Sequence, residues 1–121
     1  MYLLIDTVSF PEESHVHLLS AKGVSKKDVK LKSRELVSGF KNNPLLKKTI
    51  AGDLKGIMVV NGPGAFGQVR QGVAVANTLA WSLGVPIRAL QIGDKLDVKK
   101  GFARKIIKPI YSRPPNITKP R

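Results

Sequence analysis

The chain has 121 residues, which limits it to one domain with a single modest core. Hydrophobic residues make up 42%, which excludes a disordered chain, and no apolar run approaches the roughly 20 residues of a membrane helix. Lys and Arg number 21 against 8 Asp and Glu, a formal charge of +13, and cysteine is absent, which excludes disulfides, Cys-ligated metals and Cys nucleophiles.

Residues 2–7 (YLLIDT) form a short apolar run ending in Asp, a buried strand by pattern. Asp6 interrupts this start and no basic segment precedes it, so no signal peptide is expected, and a reducing cytoplasm fits. Pro11, Glu12 and Glu13 break the chain into a turn. Residues 15–21 (HVHLLSA) alternate in part and read as a second strand. Residues 27–32 (KDVKLK) put Val29 and Leu31 on one face of a half-exposed third strand. The three strands predict an antiparallel meander.

Ser33 is placed as a helix N-cap before residues 34–40, where Leu36, Val37 and Phe40 make an apolar stripe. Pro44 either ends this helix or starts a second over 45–50, and Gly52 closes the region. Residues 54–61 are nearly all apolar, as in a central strand covered on both faces. The periodicity of Phe66, Val69, Val73, Ala76, Ala80 and Leu83 predicts a helix over 65–83, stopped by Gly84 and Pro86. A fifth strand is expected over 85–90. Past Gln91 the pattern weakens to short stretches at 96–98 and 102–107, then to a proline-rich extended tail over 109–121.

The order is βββαβαβ, with a glycine-proline-glycine turn between the fourth strand and the long helix. That segment, NGPGAFGQVRQGVAVANTLAWSLGVP, resembles the TsaB (YeaZ-like) family pattern GPGSFTGLRIGVATAKGLA. Gly62, Pro63, Gly64, Phe66, Arg70, Gly72, Val73, Ala74, Ala76, Leu79 and Ala80 match it. The start LLIDT is similar to the family's first strand, and PIYSR at 109–113 to its Pro-x-Tyr-Leu-Arg. The resemblance implies an α/β fold, a single actin-like (ribonuclease H-like) lobe with a mixed five-stranded sheet. Residues 1–90 would form the lobe, with both main helices on one face, and 91–121 a basic, proline-rich extension, of which 91–105 stands where family members carry a second lobe.

By the same resemblance, the chain is a non-catalytic subunit of the machinery that makes threonylcarbamoyladenosine at tRNA position 37. Its partner would be a TsaD-like protein, with a TsaE-like ATPase joining the pair and ATP bound by those partners, so no cofactor is expected here. Helices 33–43 and 65–83 would form the interface through Arg34, Val37, Phe40, Phe66, Val69, Arg70, Gly72, Val73, Ala76 and Ala80. A homodimer through the same faces and a stand-alone RNA-binding module are the alternatives; a membrane partner is not expected.

The chemistry of individual residues is weighed beside this. The glycine turn suits a phosphate, but it lacks a Walker Lys and the GxGxxG spacing, and Ala65 and Gly67 replace the family's Ser and Thr. A sharp strand-to-helix turn is the favoured reading. Gly72, Ala76 and Ala80 make a small-residue ridge that allows close helix approach, by a partner or by the chain's own sheet. Val75 and Leu79 lie off the main stripe, so the helix is apolar on more than one face, which suggests a second cover. Asp6, Glu12 and Glu13 read as a strand-end Asp and solvated turn carboxylates. His15 and His17 share a strand face, but the chain has no further His and no Cys, so no metal site is expected. Arg104, Lys105, Lys108, Arg113, Lys119 and Arg121 are candidate tRNA phosphate contacts, or else a solvated tail; Tyr111 either stacks on a base or anchors that tail.

Overall fold

A computed structural model describes residues 1–10, 13–20, 25–32, 35–52, 54–64, 66–94 and 102–110. Its elements are β1 (Tyr2–Asp6), β2 (Glu13–Leu19), β3 (Ser25–Lys32), α1 (Leu36–Asn42), α2 (Pro44–Ala51), β4 (Gly56–Gly62), α3 (Phe66–Leu83) and β5 (Ile87–Gln91). They build a five-stranded sheet in the order β3-β2-β1-β4-β5. The β1, β2 and β3 pairings are antiparallel, as short connections require. β4 pairs in parallel with β1 and with β5, and helical connections precede β4 and β5.

The alternation of strand side chains sorts the core into two layers. Leu3, Ile5, Val16, Leu18, Ile57, Val59 and Ile87 point to one face and meet Leu36 and Phe40 of α1, Leu46 of α2, and Val69, Val73, Ala76 and Ala80 of α3. All three helices therefore lie on the same face, where the two main ones were expected. The opposite face carries the smaller cluster of Leu19, Met58 and Leu90, with Tyr2, Leu4 and Phe102 against it. β4 lies between the two layers, and every one of its 7 residues is buried.

Boundaries shift where backbone hydrogen bonding overrides pattern. α1 begins at Leu36, with Glu35 rather than Ser33 at its N-cap and no side-chain cap bond. β3 runs to Lys32, and Ser33 and Arg34 lie outside the described residues. Pro44 starts α2 rather than merely ending α1. Asn43 makes this junction by itself. Its N–H donates to Gly39 O at the end of α1, at 2.9 Å. Its Oδ1 accepts from Leu45 N at 3.0 Å and Leu46 N at 3.2 Å at the start of α2.

Residues 102–110 form a strap along the open edge of β5, not a further element. Ala103 makes one antiparallel bridge to Ile87. The Tyr2 and Phe102 rings lie 5.2 Å apart. Asn77 of α3 holds Ile107 at both ends of its backbone, donating to its O at 2.9 Å and accepting from its N at 2.8 Å. The Ile107 side chain enters the helix-side core. Asn61 binds the Lys108 carbonyl through Nδ2 at 2.9 Å, and its own O accepts from Ile110 N at 2.7 Å. The stretches expected at 96–98 and 111–121 lie outside the described residues.

Candidate partner-binding face

The glycine turn is explained by what packs against it. Gly62 has φ of +120°, a backbone state that L side chains rarely adopt. A Cβ there would also collide with the Ile110 carbonyl of the strap. At Gly64 a Cβ would lie 2.6 Å from Val8 Cγ1. The loop after β1 is held in place by its own side chains. Val8 and Ser9 N–H groups donate to Asp6 Oδ1 at 2.9 and 3.0 Å. Thr7 Oγ1 donates to Gln68 O in the first turn of α3 at 2.6 Å. Asp6 thus closes its own loop, while Glu13 contacts His15; Glu12 lies outside the described residues.

α3 has two apolar faces with different duties. Val69, Val73, Ala76 and Ala80 are buried against the chain's own sheet. Gly72 faces Thr7, where a Cβ would sit 2.5 Å from Oγ1 and 2.9 Å from Cγ2. The small-residue ridge therefore accommodates the end of β1, and a partner helix cannot reach it on this fold. That corrects the interface assignment for Val69, Gly72, Val73, Ala76 and Ala80. Arg34 and the Phe66 side chain lie outside the described residues. Arg70 is exposed.

The second face is open. Ala74, Val75, Thr78 and Leu79 of α3 stand beside Val37, Phe40 and Lys41 of α1 and Ile50 of α2. Together they line a groove of about 490 Å³. Val37 is 54% exposed, a large fraction for an apolar side chain next to other apolar groups. Phe40 contributes to both layers, buried in the core yet lining the groove. Two residues of the expected interface, Val37 and Phe40, thus belong to this groove. Val75 and Leu79, off the main stripe, are the sequence signal that marks it.

The basic candidates divide in the same way. Arg104, Lys105 and Lys108 are exposed on the strap. Arg104 and Lys105 line a hollow of about 260 Å³ with Asn77, Ala80, Trp81, Gly84, Val85 and Ile106. Trp81 is 86% exposed there, a stacking surface that helical periodicity did not single out. Arg113, Lys119, Arg121 and Tyr111 lie outside the described residues. On the sheet, the register sets Asp28 of β3 opposite His17. His15, His17 and Asp28 thereby bring one ligand-type atom each to within 4.8 Å of one another. The expectation of no metal site rested on the count of His and Cys and left out this cross-strand carboxylate.

No helix among the described residues is long and apolar enough to cross a membrane. The family model of TsaD, tRNA N6-adenosine threonylcarbamoyltransferase, matches residues 36–94, the span from α1 past β5. The tRNA threonylcarbamoyladenosine biosynthesis protein TsaB of Bacillus subtilis (strain 168) is 42% identical over 59 residues, covering 49% of this chain and 26% of that protein. YeaZ from Pseudomonas aeruginosa superposes with a TM-score of 0.58 at 26% identity, covering 74% of this chain and 43% of that one. A structure described as an uncharacterized protein with similarity to peptidase YEAZ from Pseudomonas aeruginosa has the same TM-score and identity, covering 74% and 42%. The chain spans about a quarter of the curated relative and under half of each solved structure. In sequence over about half of its length, and in fold, this chain is similar to TsaB and YeaZ proteins.

Proposed function

We propose that this chain is a scaffold subunit of the machinery that makes threonylcarbamoyladenosine in tRNA, working in the cytoplasm. It binds a TsaD-like partner through the groove between α1 and α3 and leaves ATP to its partner subunits. The observation that supports this most directly is the groove itself: apolar, open, and built by the helices inside the span that matches the TsaD family model. Apolar side chains left at a groove of this size gain most by covering one another with a second protein surface. Lys41 at its border offers a positive charge to an acidic group on the partner's rim.

A non-catalytic role is supported by the use of the polar groups. Asp6 satisfies its own loop, and the glycine turn is occupied by Val8 and the strap where a phosphate would need room. A TsaE-like ATPase and tRNA would join through the complex. The strap's Arg104 and Lys105, beside Trp81, with the exposed Lys108 further along the strap, supply phosphate contact and a stacking surface for the RNA.

The test is capture of the TsaD-like protein of the same organism by this chain, with Val75→Glu and Leu79→Lys as variants. Both lie on the groove and pack partly against the core, so circular dichroism and thermal melting establish that each variant is folded before its affinity is compared. The wild type captures the partner and both variants lose at least tenfold in affinity. Equal capture by all three refutes the groove. Absence of capture by folded wild type refutes the scaffold reading.

A further inference from the structure

We infer that His15, His17 and Asp28 form a binding site for a divalent transition-metal cation of the zinc, cobalt or nickel type, on the sheet face opposite the helices. The inference is independent of the scaffold reading. Glu13, His15 and His17 are alternate residues of β2 and so share one face. Asp28 on β3 stands directly opposite His17 and diagonal to His15. Its two carboxylate oxygens divide between the rings: Oδ2 is 3.1 Å from His15 Nδ1 and Oδ1 is 3.6 Å from His17 Nδ1. In a four-coordinate site with bonds of about 2.0–2.1 Å, neighbouring ligand atoms stand about 3.3 Å apart. The two histidine–carboxylate spacings bracket that value, and one ligand atom from each of the three residues lies within 4.8 Å of the others.

Glu13 supplies the supporting contact. His15 Nε2 lies 3.1 Å from Glu13 Oε2. Both ring nitrogens face a carboxylate oxygen at 3.1 Å, and in the tautomer with hydrogen on Nε2 the ring donates to Glu13. In the neutral ring this leaves the Nδ1 lone pair pointing at Asp28. Two lone-pair groups facing each other need something positive between them. A second ring proton meets the need of His15 alone, whereas a metal ion meets those of His15, His17 and Asp28 at once. A carboxylate behind a histidine is also the arrangement that fixes ring orientation and raises basicity in metal sites.

The surroundings suit a held ion. His15 is 3% exposed beneath the Phe10 ring, stacked at 4.2 Å, so its orientation is fixed. The His17 and Asp28 side chains are 23% and 33% exposed and leave a way in from solvent, with a coordination position for water. Two imidazoles with one carboxylate select transition metals over magnesium or calcium, which prefer all-oxygen shells. Lys30 stands opposite His15 in the register and Lys32 opposite Glu13, and the chain carries +13 overall. The general field therefore repels cations, and an ion here is held by ligation alone. It would tie the edge strand β3 to β2.

The experiment is calorimetric titration of the tag-free, full-length chain with zinc and with cobalt, beside the cobalt visible spectrum. The expected result is one ion per chain, with a cobalt spectrum of nitrogen and oxygen ligation. His17→Ala and Asp28→Asn, both partly exposed and so expected to fold, each lower the affinity at least tenfold. Glu13→Gln lowers it by about 10- to 100-fold without changing stoichiometry. Failure of folded wild type to bind zinc, cobalt or nickel at micromolar concentrations overturns the site. So does binding that is unchanged in both His17→Ala and Asp28→Asn.

Discussion

Gly72→Ala separates a residue that packs on its own sheet from one that awaits a partner. In an exposed helix interior, Ala is favoured over Gly by about 1 kcal/mol. Here the new Cβ would meet Thr7 at 2.5 Å from Oγ1, 2.9 Å from Cγ2 and 3.3 Å from Cβ. Thr7 cannot easily yield. It is 1% exposed, its β-branched side chain has few χ1 states, and its hydroxyl is bonded to Gln68 O at 2.6 Å. Overpacking of this kind costs about 1–3 kcal/mol. Turning the hydroxyl away instead loses a hydrogen bond and buries an unsatisfied group, about 1–3 kcal/mol again. After the helix gain is subtracted, Gly72→Ala destabilises by about 0–2 kcal/mol. Urea unfolding reads this as a fall in midpoint of up to about 1 M at unchanged slope. Thr7→Ala removes both offending atoms, so adding Gly72→Ala to that background restores the helix gain of about 1 kcal/mol. Stabilisation by Gly72→Ala in the wild-type background would refute the reasoning and return the ridge to the surface.

Asn77→Ala frees both ends of the Ile107 backbone and costs about 2 kcal/mol, with amide exchange and proteolysis rising over 102–110 before the sheet opens. Asn43→Ala removes the cap of α2 and costs about 1 kcal/mol in chemical denaturation. Gly62→Ala costs about 1–3 kcal/mol in backbone strain and also displaces the strap at Ile110, seen as loss of protection of the Ile110 amide while β1 and β2 stay protected. Val37→Asp, at a half-exposed position, changes the denaturation midpoint by no more than about 0.5 kcal/mol equivalent, yet lowers partner capture at least tenfold.

The strands and the long helix were legible because each obeys a local rule. Alternation exposed Val29 and Leu31, continuous apolarity exposed β4, and three- and four-residue spacing exposed α3. The start of α1 was not legible, because the extent of β3 is fixed by its pairing with β2, from Glu13↔Lys32 onward. Pro44 was ambiguous in sequence, since proline suits both the residue after one helix and the first turn of another. The small-residue ridge was visible, but its occupant was not. Periodicity says that Gly72 faces something close; only the placement of Thr7 says what. The third ligand of the histidine cluster was hidden for the same reason: Asp28 is 11 residues from His17 in sequence and adjacent only through the register. Trp81 was passed over because a single aromatic at the end of an apolar helix carries no periodic signal of exposure.

The three stretches that carry the family resemblance converge on one place. The end of LLIDT meets the long helix through Thr7 and Gln68, Val8 fills the space beside Gly64, and Ile110 of the final stretch lies against Gly62. Those matches describe a single packing junction, distributed over segments remote in sequence. They account for the shared fold and say little about who binds it. The groove lies on the other side of α3, at Ala74, Val75, Thr78 and Leu79, of which the quoted pattern contains only Ala74 and Leu79. On the proposed scaffold reading, fold and partner choice are separable. Exchanging Val75 and Thr78 for the residues of another TsaB-like protein should leave the unfolding midpoint within about 0.5 kcal/mol equivalent and shift capture toward that protein's own TsaD-like partner. If partner preference instead follows residues at the junction, such as Thr7 or Gly64, the groove is packing surface only and the scaffold's specificity is written elsewhere.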